Sequence, residues 1–409
     1  MTSGADFARL WTGQTISAFG SLIGAAAMGF TAILVLHATP FQLGILSAAR
    51  LAPGFLSGLV AGAWVDRMRR RPILIVADLG RAVLLGTIPL AAVFGLLRME
   101  QLYAVTLLVS ILTIFFDVAY QSYLPTLVGR TELIEGNSKL AASASVAEVS
   151  GFGVAGWLVQ IFTAPMTIGI DAASFVISAI SIWLIRAPEP APVTRPMRPN
   201  IWREIGEGLR VTVRDTTLRA LAACSLFRDF FIGMYGTLVV VFMVRDLGFA
   251  PGILGAIWAT GGVSSLAGAA ATKRLTNRFG IGPVIVVGLI VFVVSLFFVP
   301  LARGATVAAA VLLISQQVFG DGGATISQIN QMSLRQAIVP DRLLGRVNAS
   351  AEFIRVGAAL FGSLAGGALG EIAGVRMTLF TSALGALLSM LWLVLSPIRG
   401  LKVAPLCAE

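Results

Sequence analysis

Long apolar stretches separated by short polar clusters set the pattern of this chain. Apolar runs over residues 10–36, 42–65, 72–97, 101–127, 137–161 and 166–186, then further ones between 218 and 398, each suffice for a bilayer-crossing helix, which takes about 20 apolar residues. The pattern predicts an all-α integral membrane protein of about twelve transmembrane helices, six in each half. The first run continues from Leu10 to Leu36 without a small-residue cleavage pattern, so it reads as the first span rather than a removable leader.

Residues 187–217 form the only long polar stretch, with prolines at its start and arginines later. They divide the chain into an N-terminal six-helix bundle over 1–186, a cytoplasmic linker over 187–217 and a C-terminal six-helix bundle over 218–409. Within the linker, 202–213 reads as an amphipathic helix lying on the membrane.

An internal repeat reinforces this division. A shift of 211 residues (251 minus 40) pairs Pro40 with Pro251, Gly44 with Gly255, Arg67 with Arg278, Pro72 with Pro283, Asn137 with Asn348, Gly151 with Gly362 and Gly156 with Gly367. An even number of spans per half gives both halves the same orientation, hence parallel repeats. Small residues recur every four positions, as at Gly54, Gly58 and Gly62 or at Ala358, Gly362, Gly366 and Gly370, where helix backbones can approach closely.

Composition agrees with a lipid environment: 57% of residues are hydrophobic and 12% charged, with a mean hydropathy of +0.88. The net charge of +10 does not imply a nucleic-acid partner, because the basic residues gather on one side of the predicted spans. That bias places both termini in the cytoplasm, and the lipid bilayer itself is the partner of the excess charge. Cys224, Cys407 and His37 are too few for a disulfide framework or a metal site. No phosphate loop or HExxH sequence occurs, which speaks against an enzyme or an ATP-driven pump.

The turn after the second span reads GAWVDRMRRRP over 62–72. It resembles the signature of the major facilitator superfamily, which Gly62, Asp66, Arg67, Arg70 and Arg71 match, with Arg69 in place of the usual Gly. Its degenerate copy, RLTNRFGIGP over 274–283, has Asn277 where the acid would stand. Residues 43–90, the Asp78 and Arg81 pair, YLPTLV over 123–128 and IDAASFVISAI over 170–180 are similar to the branch of enterobactin exporters and macrolide efflux proteins. The resemblance implies the major facilitator fold, and a cytoplasmic gate formed by Gly62, Asp66, Arg67, Arg70 and Arg71 with Arg278. The antiporter element of that superfamily carries a proline in its fifth helix, which Gly151 to Gly156 lack.

Ionisable residues inside a membrane are functional candidates by default. Glu148 lies some 12 residues into the fifth span, about 18 Å deep, and Asp229 sits equally deep in the seventh. With Asp117, Asp321, Arg228 and Arg50 they are the candidates for proton coupling or substrate binding. Arg228 directly precedes Asp229, and adjacent helical residues point about 100° apart, so each is expected to find another partner; for Glu148 the alternative to binding a proton or a cationic substrate is a fixed ion pair with Arg50, Arg81 or Arg228. Asp78 with Arg81, and Glu352 with Arg355, are three residues apart and read as structural ion pairs. Phe30, Tyr120, Tyr123, Phe231, Tyr235 and Phe319 are candidate cavity aromatics.

These features imply a secondary transporter of the bacterial inner membrane, monomeric and without a cofactor. It would export a bulky, partly apolar small molecule against protons by alternating access. The alternatives are proton-coupled uptake and a non-transporting receptor or scaffold.

Overall fold

The computed structural model describes residues 3–57, 68–187, 189 and 201–402. Among them the regular structure is helical throughout: α1 (Ser3–Phe30), α2 (Pro40–Ser57), α3 (Arg70–Val93), α4 (Met99–Phe162), α5 (Ala164–Trp183), α6 (Ile201–Arg214), α7 (Thr216–Val241), α8 (Pro251–Phe279), α9 (Ile281–Ser295), α10 (Val307–Ile338), α11 (Asp341–Ala373) and α12 (Val375–Ser389). Among the described residues ten helices are long and apolar enough to cross a membrane, or up to eleven if a pair bent by 52° within α4 counts as one span. The predicted second span continues from α2 into residues outside the described ones.

Helix starts follow their sequence signals. Thr39 precedes α2 with Pro40 at its first position, and Thr39 and Gln42 bond reciprocally: the Gln42 amide nitrogen donates to Thr39 Oγ1 at 3.3 Å and the Thr39 amide nitrogen to Gln42 Oε1 at 2.9 Å. This is a capping box, which satisfies two otherwise orphaned donors. Asp215 accepts from the Leu218 amide nitrogen at 2.8 Å to start α7, and Thr306 from that of Ala309 at 3.1 Å to start α10.

Two expectations change. The loop expected between the fourth and fifth spans is absent: the backbone stays helical over all 64 residues of α4. Its spans, Met99–Pro125 and Glu135–Gly151 with Gly153–Phe162, are joined without a break in the backbone helix although Pro125 and Gly129 stand in or beside the joining sequence. The amphipathic α6 buries Gly208 and Thr212 and packs on α11, where Arg346 Nη1 bonds Glu207 Oε2 at 2.7 Å. A Cβ on Gly208 would lie 2.3 Å from the Arg346 carbonyl oxygen, so protein rather than lipid covers that face.

The chain forms two compact units. The first comprises residues 1–38, 49–198 and 250–256; the second comprises 39–48, 199–249 and 257–409. In the first, α1, α3, α4 and α5 pack on one another; in the second, α7 packs on α11 and α12, and α9 on α10. Each unit includes the start of a helix from the other half of the sequence. The opening turns of α2 lie on α11 in the second unit, where a Cβ at Gly44 would stand 2.9 Å from the Ser363 carbonyl oxygen. The opening turns of α8 lie on α4 in the first, where one at Gly255 would stand 2.6 Å from that of Gly153.

The repeat survives in backbone detail. Single π-type turns close α1 at Thr31–Val35 and α7 at Phe242–Asp246, 211 residues on. Positive φ at His37 (50°) and Thr163 (73°) recurs at Gly248 (79°) and Gly374 (86°), again 211 apart.

Candidate functional site

The first unit holds a buried polar knot between α1, α3, α4 and α5. On α3, Asp78 is 0% and Arg81 4% exposed, one turn apart, and Arg81 Nη2 bonds Asp78 Oδ1, which is the expected structural pair. Arg81 Nη1 reaches Thr113 Oγ1 at 3.4 Å. The guanidinium stands 4.4 Å from the Phe116 ring centre and 4.1 Å from that of Phe175, two favourable cation–π contacts. Such support matters because a buried ion loses several kcal/mol of hydration that only bonding and opposite charge offset. Neither Asp78 Oδ2 nor Arg81 Nε has a hydrogen-bond partner among the described residues.

Asp171 approaches the same knot from α5 and is 4% exposed. Ser174 Oγ donates to its carbonyl oxygen at 2.8 Å and lies 3.3 Å from its Oδ1. Room for both side chains comes from α1: a Cβ on Gly24 would lie 2.1 Å from Asp171 Oδ2, and one on Gly20 would lie 2.0 Å from Ser174 Oγ. Among the described residues no cation bonds Asp171, and Arg81, held by Asp78, reaches it only through space. Asp117 on α4 is exposed and also within electrostatic reach of Arg81. Ser178, on the same face as Asp171, neighbours Asp78 and accepts from Gln14 Nε2 at 3.1 Å.

In the second unit Arg228 and Asp229 pair with each other, correcting the expectation of separate partners. Arg228 Nε lies 2.8 Å from Asp229 Oδ1 and Nη2 lies 3.2 Å from Oδ2. Adjacent Cβ atoms do diverge, but the long arginine stem curls back across that angle and seats its planar fork on both carboxylate oxygens. Glu352 and Arg355 form the expected pair, also through both oxygens. Asp321 on α10 lies opposite Gly261 on α8, where a Cβ would stand 2.0 Å from Asp321 Oδ2; Gln317 Nε2 is 3.4 Å from the same oxygen. Arg50 on α2 and Glu148 on α4 are exposed, and no ion pair of the described residues joins Glu148 to Arg50, Arg81 or Arg228.

Of the gate residues, Gly62, Asp66 and Arg67 lie outside the described residues. The amide nitrogens of Arg70 and Arg71 donate to the Glu189 carboxylate, placing a negative charge at the positive start of α3. Arg71 also donates to the carbonyl oxygens of Ile182 at 3.3 Å and Trp183 at 2.5 Å, satisfying acceptors left open at the end of α5. Arg278 is exposed on the last turn of α8, 5.3 Å from the Phe279 ring centre.

Also within the second unit, a cavity of about 560 Å³ lies between α8, α9 and α10, lined by Leu275, Phe279, Val291, Phe319, Ile326 and small residues. Of the other candidate aromatics, Phe30, Tyr123 and Tyr235 are buried, Tyr120 stacks on Phe116 and Phe231 abuts Gly385.

The family model described as Major Facilitator Superfamily matches residues 10–363. The chain belongs to that superfamily. Among curated relatives of this superfamily member, the uncharacterized MFS-type transporter YfiS of Bacillus subtilis is 25% identical over 97% of the chain and 93% of its own length. The multidrug efflux pump Tap of Mycolicibacterium fortuitum is 26% identical over 90% of the chain and 92% of its own. Macrolide efflux protein A of Streptococcus pyogenes is 29% identical over 53% of each. The crystal structure of the nucleoside transporter NupG superposes with a TM-score of 0.77 over 95% of this chain and 98% of that one, at 12% identity, a likeness of fold alone.

The chain is thus a multi-pass Major Facilitator Superfamily transporter and not an enzyme. Sequence reasoning set Asp78 and Arg81 on one helix and Asp117 on another, and passed over what Asp171 joins. The clue was Asp171, Ser174 and Ser178 at steps of three and four, one polar face on an otherwise apolar helix. Glu189 was missed because it stands in the polar linker, far in sequence from the α3 start it caps.

Proposed function

We propose that this transporter exports bulky, partly apolar small molecules of the antibiotic, drug or siderophore class by proton antiport through alternating access. The observation that carries the export reading is the similarity to the multidrug efflux pump Tap along nearly the whole chain, with the partial similarity to macrolide efflux protein A beside it. The apolar cavity of about 560 Å³ supports the substrate class, since drug-sized ligands occupy largely apolar pockets of about 300–1,000 Å³. Proton coupling is supported by carboxylates in spanning helices, which hydrocarbon tolerates only where they have work or a partner.

In this reading Glu148 and Asp117, exposed on α4, meet a cationic substrate or a proton, while the Arg228–Asp229 pair fixes local charge. Asp66 and the basic residues after it close the cytoplasmic end in one state. The protein works as a monomer in the bacterial inner membrane, with both termini cytoplasmic and the proton gradient as its energy source.

Inverted membrane vesicles test the reading. Acidifying their interior should drive accumulation of a labelled macrolide above empty-vector vesicles, and a protonophore should abolish it. No gradient-driven accumulation across a panel of macrolides, other antibiotics and siderophores would overturn it.

A further inference from the structure

The knot on α3, α4 and α5 contains more negative than positive charge. Asp78, Asp117 and Asp171 all lie within electrostatic reach of Arg81. Among the described residues, no cation other than Arg81 acts on Asp171: α1 packs on it with Gly20 and Gly24, its own helix brings Ser174, and Asp78 and Asp117 draw on that same Arg81. Asp117 is exposed, and Asp78 already holds Arg81. Asp171, 4% exposed, has one serine hydroxyl beside a carboxylate oxygen and glycine backbone against the other. A carboxylate buried without a cation is so unfavourable that it takes up a proton instead.

From this geometry we infer that Asp171 is a proton-binding site, and that Arg81 divides between Asp78 and Asp171 so that the carboxylate it leaves is the one that holds the proton. The structure records one arrangement, Arg81 on Asp78. The second needs the guanidinium, whose Nε bonds nothing among the described residues, to leave Asp78 and Thr113 for Asp171, beside the rings of Phe116 and Phe175 that already flank it. When Arg81 reaches Asp171, the O–H bond of that carboxyl breaks and its proton leaves the knot to solvent. Asp78 then takes one up, and the total buried charge is unchanged. Two carboxylates sharing one cation form the bistable element that a coupled transporter requires.

Proton binding stands on the geometry alone, while its use in transport rests on the antiport reading above; two measurements separate them. Infrared spectra of the purified protein at neutral pH should contain the carbonyl stretch of a protonated, non-hydrated carboxylic acid, and Asp171→Asn should remove it. Absence of that band from the wild-type protein overturns the site whatever the protein transports, and needs no variant to fold. In inverted vesicles, Asp171→Asn should lower proton-driven macrolide accumulation about tenfold, within the usual range of coupling between two sites, while exchange of labelled for unlabelled macrolide persists. A band lost in Asp171→Asn with driven accumulation intact leaves a structural proton and overturns the coupling role. No driven accumulation by the wild-type protein, with the band present, defeats antiport and not the site.

Discussion

On α5, Asp171 and Ser174 press against Gly20 and Gly24 of α1; 211 positions on, Gly385 of α12 gives way to Phe231 of α7, whose ring carbon Cε1 would lie 2.3 Å from a Cβ there. The counterparts of Gly20 and Gly24 are Phe231 and Tyr235, and those of Asp171 and Ser174 are Ser382 and Gly385. Asp78 and Arg81 become Leu289 and Phe292. Both halves fill the same space, since interiors are close-packed, but with bulk on opposite members of the helix pair. The first half spends that space on carboxylates and a guanidinium. The second closes it with aromatic rings, Tyr235 satisfying its hydroxyl on the Leu296 carbonyl oxygen at 3.0 Å. At these positions a shared backbone therefore carries carboxylates and a guanidinium in one copy only.

The largest effect expected from breaking this contrast is at Arg81. Arg81→Leu leaves Asp78 buried and unpaired, at a cost of about 3–5 kcal/mol, and should nearly abolish folded protein in fluorescence-detected size-exclusion chromatography. Asp78→Leu with Arg81→Phe, the residues of the second half, should recover most of that yield, because an apolar pair in place of a buried ion pair is often neutral. Failure of the double variant to recover would mean that the knot stabilises by more than its own charges.

Crowding comes next. Gly24→Ala sets a methyl group 2.1 Å from Asp171 Oδ2 and should destabilise by about 1–3 kcal/mol, as overpacking does. Adding Asp171→Ala removes the obstructing oxygen, and the double variant should melt above Gly24→Ala alone. The smallest expected effect is a gain. Thr163 holds φ 73° and ψ 155°, a region almost reserved for glycine that costs about 1–3 kcal/mol, and its counterpart Gly374 holds φ 86° and ψ 153°. Thr163→Gly should raise the melting temperature, and a drop would mean that its side chain contributes more than its backbone loses.

The all-helical membrane class, the repeat and its offset were legible in the sequence because each rests on local hydropathy or on residue identity at a constant spacing. The Asp78–Arg81 and Glu352–Arg355 pairs were legible for the same reason, since helical neighbours three apart must meet. The Arg228–Asp229 pair was not: the expectation followed Cβ directions and neglected the reach of an arginine side chain. Nor was the placement of Asp171, which depends on two glycines some 150 positions away. Their spacing alone fits any close helix contact. The burial of α6 against α11 was hidden because an amphipathic face reads the same whether lipid or protein covers it.

The contrast between the halves is tested most directly by placing the same amide at the same repeat position in each. Asp171→Asn and Ser382→Asn would be compared for proton-driven macrolide accumulation in inverted vesicles, at matched levels of folded protein. The account predicts loss of driven accumulation in Asp171→Asn alone, with Ser382→Asn close to wild type. Equal loss in both, or driven accumulation retained in Asp171→Asn, would contradict it.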